Sequence, residues 1–183
     1  MYKLTKVFPI FIAIILSISC STVNTNISNN IELTKKVFLC DFDLREIVTN
    51  NRSLKLNDEF ANSLQLYFLK AGFNVIDSYK YKLLLKENNY LSKTSNDIDN
   101  YENIIKIGKQ TGSDYVVLCS GNYRIFWGYE YLNQCTIRMI DINTASIILI
   151  TNWSGSGENL GKVSEIVGND IYKELIKQKL NKQ

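Results

Sequence analysis

Short apolar runs mark three strands in the first two thirds of the chain. They cover residues 37–42, 73–77 and 115–119, and polar residues or glycine bound each of them. Runs of this length are too short for a helix and are typical of buried strands. The pattern therefore predicts three strands that lie inside the protein.

Apolar residues at helical spacing fill the intervals between these strands. A first helix is predicted from an N-cap at Asn57 to a left-handed C-cap at Gly72. Three further helices are predicted at residues 78–88, 104–112 and 161–180.

The last third of the chain is rich in β-branched and aromatic residues. Segments 115–126, 129–140 and 147–153 are separated by Trp127-Gly128 and by Asn143-Thr144, and a loop is predicted for the residues after 153. This pattern predicts an antiparallel meander of three long strands. The whole order, β-α-β-α-α-β-β-β-α, predicts an α/β fold with a mixed parallel and antiparallel sheet and helices packed against it.

The first 20 residues have the features of an export signal. Two lysines precede an apolar stretch at 7–18, which is shorter than the roughly 20 residues that a membrane-spanning helix needs. Ser17 and Ser19 then lead to Cys20. This arrangement resembles a bacterial lipoprotein signal, in which the cysteine is acylated and becomes the mature N-terminus. A plain secretory signal cleaved near Ser19 is the alternative.

The rest of the chain is divided by composition. With residues 1–19 removed as a signal peptide, residues 20–36 are rich in Ser, Thr and Asn and show no apolar periodicity, which predicts a flexible tether. Residues 37–183 are long enough for one core, and we expect them to fold alone as a single α/β domain.

Charge and composition exclude several function classes. The chain has 21 Lys and Arg against 18 Asp and Glu, a formal charge of +3, which is too small an excess for a dedicated nucleic-acid binder. It has no histidine. Catalytic triads that use histidine, and zinc or haem sites with histidine ligands, are therefore excluded.

Acidic and glycine-rich segments do not predict an active site. Asp41 and Asp43 alternate along the first strand and would share a face, but no histidine or other acid is placed beside them, so we interpret them as a solvated strand end. Residues 155–161 (GSGENLG) miss the spacing of a dinucleotide-binding motif. We predict no cofactor.

Three cysteines remain after Cys20. Cys40, Cys119 and Cys135 all lie in apolar strand patterns, where cysteine behaves as a small apolar residue. We expect buried thiols, with a single disulfide as the alternative in an exported protein, and no metal site.

Several short sequence motifs follow one another in an order that resembles a known group of proteins. They are LKAGFNV at 69–75, LLKE at 84–87, IGKQTGSDYVV at 107–117, Gly121, and RMIDINT at 138–144. Together they resemble the envelope lipoproteins grouped with the curli secretion channel protein (CsgG-like) and with the lipoprotein activator of penicillin-binding proteins (LpoB-like). Ala145 stands where these proteins have glycine, so a tight left-handed turn is not predicted there.

The resemblance implies a non-catalytic protein of the cell envelope. We expect an outer-membrane lipoprotein, anchored through Cys20 in the inner leaflet and facing the periplasm. Its expected role is that of an adaptor or regulatory module that binds another envelope protein or copies of itself, without nucleic acid or a small-molecule cofactor. A subunit of an oligomeric CsgG-like secretion channel is the alternative, and an enzyme is a remote third.

One predicted hairpin end is unusually rich in aromatic residues. Phe126, Trp127, Tyr129 and Tyr131 crowd a turn, where polar residues are usual, and alternation would put Tyr129 and Tyr131 on one face with Leu132 on the other. Exposed aromatic residues at such a turn indicate contact with a partner or a lipid headgroup. The alternative is that the turn folds over the sheet and completes the core. We predict that the four aromatic residues form a partner-binding surface.

Overall fold

The computed structural model describes residues 21–28, 31–40, 42–51, 53–77 and 101–181, which form seven strands and three helices. In chain order these are β1 (Thr22–Ile27), β2 (Lys36–Leu39), β3 (Asp43–Glu46), α1 (Leu54–Ala71), β4 (Asn74–Val75), α2 (Tyr101–Thr111), β5 (Tyr115–Phe126), β6 (Tyr129–Asp141), β7 (Ser146–Asn159) and α3 (Leu160–Leu180). The predicted fold class, α/β with a mixed sheet, is confirmed. The helix predicted at 78–88 lies outside the described residues. Within those residues, no helix is both long enough and apolar enough to cross a membrane.

One mixed sheet contains all seven strands of the described residues. Its order is β1-β7-β6-β5-β2-β4, and β3 pairs with β5 farther along that strand than β2 does. β5, β6 and β7 form the predicted antiparallel meander, whereas β2 and β3 run parallel to β5, and β4 runs parallel to β2. Parallel strands need crossover connections, and α1 and α2 lie in the chain where these crossovers occur.

Apolar side chains cover both faces of the sheet. Along β2, Val37 and Leu39 point to one face and Phe38 to the other, because successive side chains of a strand alternate. Helices α1 and α3 bury the first face in the larger core, and α2 covers the second face through Ile104. This cover on both sides explains why the sequences of β2 and early β5 are apolar without alternation.

Helix α1 begins before the N-cap that the sequence predicts. Its N-cap is Ser53, whose Oγ accepts a hydrogen bond from the Leu56 backbone N–H at 3.1 Å. The prediction of Asn57 as the cap is wrong, because Asn57 is buried inside the helix and its Oδ1 accepts a hydrogen bond from the Leu44 N–H at 3.1 Å, joining α1 to β3. The predicted C-cap is confirmed, with Gly72 in the left-handed region at φ 110°.

The segment predicted as a flexible tether contains an edge strand. β1 pairs antiparallel with β7 along its whole length, and the Thr25 hydroxyl donates to the Asp170 carboxylate of α3 at 2.6 Å. Ile31, in the same segment, is buried in the larger core. The tether prediction is therefore wrong for these residues. A strand that is paired on one side and half exposed does not need the apolar run by which the other strands were recognised.

The turn between β6 and β7 is left-handed despite having alanine. Ala145 has φ 54°, and Asp141 Oδ1 accepts hydrogen bonds from the backbone N–H groups of Asn143 at 2.8 Å and Thr144 at 3.3 Å. The expectation that alanine would prevent a tight left-handed turn is wrong, because the Asp141 side chain holds the turn by bonding the backbone.

Gly121, one of the residues that carry the resemblance, is required by packing. A Cβ at this position would lie 2.3 Å from the Gln134 carbonyl oxygen and 2.9 Å from the Cys135 Cα. Both contacts are with the backbone of β6, which cannot swing aside as a side chain can. Glycine therefore permits the close approach of β5 and β6.

Removing residues 21–36 is expected to destabilise the domain. A chain that begins at Val37 loses β1 and the buried Ile31, whose side chain alone is worth about 1.5–3 kcal/mol, and it exposes the edge of β7. Thermal unfolding followed by circular dichroism should give this chain a lower midpoint than a chain that begins at Ser21. A chain that begins at Ile31 should fall between them. Equal midpoints for the longest and shortest chains would contradict the role assigned to β1.

Candidate contact surface at one end of the sheet

A two-residue turn closes the β5–β6 hairpin. Phe126 pairs with Tyr129 at the last rung, and Trp127 and Gly128 between them have φ values of 54° and 80°. Left-handed conformations at both central positions are those of a type I′ turn, which favours Asn-Gly or Asp-Gly. A bulky side chain in this region is strained by about 1–2 kcal/mol. The conformation of the turn therefore does not favour tryptophan at position 127.

The hairpin leaves the core beyond Tyr123 and Leu132. Both side chains are buried, and the pairing register shifts beside them because Asn133 is the extra residue of a β-bulge. Burial raises the pKa of Tyr123, whose hydroxyl donates to the Asn51 carbonyl at 3.3 Å. We call residues 124–131, which follow the core on both strands, the hairpin arm.

Because side chains alternate along a strand, the side chains of the arm lie on two opposite faces. Tyr129 and Tyr131 share one face with their pairing partners, Phe126 and Arg124. Glu130 points to the opposite face, where its carboxylate accepts a hydrogen bond from the N-cap hydroxyl of α1 at 3.0 Å. The aromatic face of the arm therefore has no carboxylate of its own.

The exposed apolar surface of the described residues is concentrated around this arm. Of ten large apolar side chains that are exposed in the described ranges, six belong to the arm and to the turn after β3. The Ile47 backbone N–H donates to the Tyr123 carbonyl at 2.8 Å, which holds that turn against the arm. Trp127 and Val48 are each 85% exposed. We call these six residues the apolar end: Ile47, Val48, Ile125, Phe126, Trp127 and Tyr129.

Sequence analysis identified half of this surface. Of the four predicted contact residues, three belong to the apolar end, and Tyr131 is partly buried at its border. Ile47, Val48 and Ile125 belong to the surface without having been predicted from the sequence. The pair Ile47-Val48 interrupts an otherwise polar segment at 45–56, and this was the signal that could have identified it.

The first strand starts at the same end of the sheet. Thr22 pairs with Ser154, which in turn pairs with Gln134 of β6. From this level β1 runs away from the apolar end, so its first residue, Thr22, is its residue nearest to the apolar end. Cys20, the predicted acylation site, lies outside the described residues and is separated from Thr22 only by Ser21.

The other candidates for chemistry are held by structural contacts. Arg45 Nε donates to both carboxylate oxygens of Asp43, at 3.0 and 3.1 Å, and Asp41 lies outside the described residues. The thiols of Cys40, Cys119 and Cys135 are buried, and no disulfide joins any of them to another described cysteine. Burial raises the pKa of the Cys119 thiol well above its usual value, and a hydrogen bond with Cys135 raises it further. In the ranges described, no group of three or more His, Cys, Asp or Glu side chains could hold a metal ion.

The glycine-rich segment after Trp153 supports the arm. The loop prediction for residues 154–159 is wrong, because β7 extends through Asn159 alongside the long strand β6. The Asn159 side chain then caps α3 by accepting a backbone hydrogen bond at 2.9 Å. Arg124 Nη2 donates to the Ser156 carbonyl at 2.5 Å. The segment therefore connects β7 to the root of the arm.

Replacing Trp127 by asparagine is expected to stabilise the fold. Trp127→Asn gives the Asn-Gly sequence that a type I′ turn favours and removes a strained bulky residue, which should raise the free energy of unfolding by about 1 kcal/mol. Chemical denaturation of the variant and the wild type measures this difference. Tyr129→Asn, in the strand beside the turn, serves as the control and should give no gain. A loss of stability in Trp127→Asn would show that Trp127 supports the core.

Comparisons with known proteins identify the fold. No protein-family model and no curated protein matches the chain by sequence. Among solved structures, the PelC dodecamer from Paraburkholderia phytofirmans matches 85% of this chain and 97% of its own at 11% identity, with a TM-score of 0.51. Lipoprotein GNA1162 from Neisseria meningitidis matches 75% of this chain and 96% of its own at 14% identity, also with a TM-score of 0.51.

An LpoB domain is also among the similar structures. The C-terminal domain of LpoB from Salmonella enterica matches 72% of this chain and 87% of its own at 13% identity, with a TM-score of 0.49. The structures named here give no support to the CsgG-like part of the resemblance. At these identities the likeness concerns the fold alone, and the chain shares that fold with PelC and GNA1162.

Proposed function

We propose that this chain is a non-catalytic lipoprotein of the outer membrane, anchored through acylated Cys20 and facing the periplasm from the inner leaflet. In this proposal it acts as an adaptor that binds another envelope protein. Phe126, Trp127, Tyr129 and Tyr131 form part of the surface with which it contacts other components of the envelope.

The observation that carries the proposal is the placement of exposed apolar side chains. They gather at one end of the sheet, around the hairpin arm, although the fold needs none of them for its core. Natural proteins expose apolar patches of this kind mainly where they meet a partner or a membrane. Asp43 and the three thiols, by contrast, are paired or buried.

The similar structures agree with a binding role. GNA1162 is a lipoprotein, and PelC forms a dodecamer. A shared fold does not transfer a function, because function depends on the residues that a fold displays. These proteins therefore support the proposal only in that the same fold serves a lipoprotein and a dodecamer.

Self-assembly is the second candidate function, and β1 favours it. This strand pairs only with β7 among the described strands, so its outer edge offers backbone groups to another copy. A channel subunit that crosses the membrane with the β5–β6 hairpin is less well supported. Each strand of the arm extends three residues beyond Tyr123 and Leu132 before or after the turn, against the roughly 9–11 residues that a spanning strand needs.

The anchor is tested by changing the acylated residue. Cys20→Ala should abolish incorporation of labelled palmitate and leave unprocessed precursor in the cell. Cys40→Ala is the matched control, because it also removes one thiol but a buried one, and it should be labelled like the wild type. Equal labelling of Cys20→Ala and wild type would disprove the anchor.

The adaptor role is tested by recovery of partners from the envelope. The tagged acylated protein, cross-linked in cells before solubilisation, should enrich one envelope protein above an unrelated outer-membrane lipoprotein, and mass spectrometry identifies it. Recovery of the chain with copies of itself alone would favour the second candidate. Recovery of neither would contradict both.

A further inference from the structure

The register of the sheet fixes how far the apolar end lies from the anchor. Thr22 is level with Gln134, and Tyr129 lies five positions farther along β6, which at about 3.4 Å per residue, less one bulge residue, is roughly 14 Å. Two positions separate Thr22 from Cys20 in the sequence, and two extended residues span at most about 7 Å. Tyr129 therefore lies at least roughly 7 Å past the level at which an acylated Cys20 would join the domain, and the hairpin turn lies farther.

That projection matches the depth of a membrane interface. Amphipathic protein surfaces bury their apolar side about 5–10 Å into the boundary between headgroups and acyl chains. Because only Ser21 separates Cys20 from β1, the domain has no long tether that could hold it away from the bilayer. An anchored domain whose apolar end points along the anchor meets the lipid surface before any other partner.

The side chains of the apolar end have the chemistry of an interfacial surface. Tryptophan and tyrosine are enriched at membrane–water boundaries, where an apolar ring and a polar group are both satisfied. Trp127 and Phe126 lie with their ring centroids 6.0 Å apart at the outermost point of the arm. The nearest carboxylate on β6, Glu130, points to the other face and is hydrogen-bonded there.

The backbone conformation of Trp127 is strained, and this strain lowers the stability of the turn. Its φ of 54° is unfavourable for a bulky side chain, and its 85% exposure recovers little of that cost within the domain. A contact outside the domain that buries the indole would offset the strain.

We propose that the apolar end is a second membrane contact, which inserts into the interface of the leaflet that holds the acyl chains of Cys20. This inference rests on the proposed lipid anchor. Within the contact surface of the proposed function, it assigns the lipid bilayer to Phe126, Trp127 and Tyr129, and it leaves the protein partner of the adaptor to the rest of the domain. With both contacts made, the sheet stands upright on the membrane, and the opposite end, with the Asp141–Ser146 turn, faces the periplasm.

The two tryptophans of the chain make a direct test. Trp127 is exposed on the arm, whereas Trp153 is 2% exposed in the core. The acylated full-length mature protein is reconstituted in vesicles of phosphatidylethanolamine and phosphatidylglycerol with brominated acyl chains, which quench only indoles that reach the bilayer. We expect loss of most of the Trp127 emission relative to unbrominated vesicles. Trp127→Phe keeps an aromatic residue at the turn and leaves only Trp153, whose emission should not change.

The outcomes separate this inference from the anchor. If mass spectrometry shows that the protein lacks acyl chains, both proposals are overturned. Acylated protein that floats with the vesicles, but whose quenching equals that of Trp127→Phe, overturns the membrane contact alone. Cross-linking from position 127 to an envelope protein in such a case would assign the apolar end to a protein partner.

Discussion

The antiparallel register of β1, β7, β6 and β5 is the constraint on which the rest of the structure depends. It sets Thr22, Ser154, Gln134 and Asn122 on one level across four strands. A slip of one residue in any of these pairs would exchange the buried and exposed faces of a strand. The register therefore decides both which side chains form the core and where the chain enters the sheet.

The same register determines the functional geometry. Because β1 is antiparallel to β7, its N-terminal end and the turn of the β5–β6 hairpin lie at the same end of the sheet. Had β1 paired in parallel, the chain would have entered from the opposite end. A lipid anchor before β1 and the apolar end would thus lie at the same end of the sheet because of strand direction, and not because of any particular side chain.

Glycine and small residues allow the strands to follow this register. Gly121 lets the β6 backbone approach where a Cβ would collide with it. Between the two helices that cover the larger core, Gly168 of α3 faces the ring of Tyr67, and a Cβ there would collide with that ring. α1 and α3 can therefore pack closely over the larger core.

Most of the fold could be predicted, because most of its strands carry a strong local signal. β5, β6 and the start of β7 are predicted almost to the residue, since β-branched and aromatic runs end at Trp127-Gly128 and at Asn143-Thr144. β1 and the end of β7 could not, because an edge strand with alternating polar residues and a segment of Ser and Gly gain their structure from pairing with β6 and β7. These segments become strands because of the strand with which they pair, and their own composition does not reveal this.

The residues of the candidate site likewise form two groups, those that the sequence identifies and those that it does not. Phe126, Trp127 and Tyr129 stand out in sequence, because aromatic residues at a tight turn conflict with the usual polar pattern. Ile47 and Val48 join them only through the parallel pairing of β3 with β5, a contact between segments some 75 residues apart in sequence. Local pattern carries no information about such a pairing.

The central claim is that the two ends of the sheet meet different surroundings in the cell. A photo-reactive aromatic amino acid placed in living cells at position 127, and in a parallel strain at Asn143 in the opposite turn, tests this most directly. The account predicts adducts of phospholipid mass at position 127 and none at position 143. Protein adducts without lipid at position 127, or lipid adducts at both positions, would contradict it.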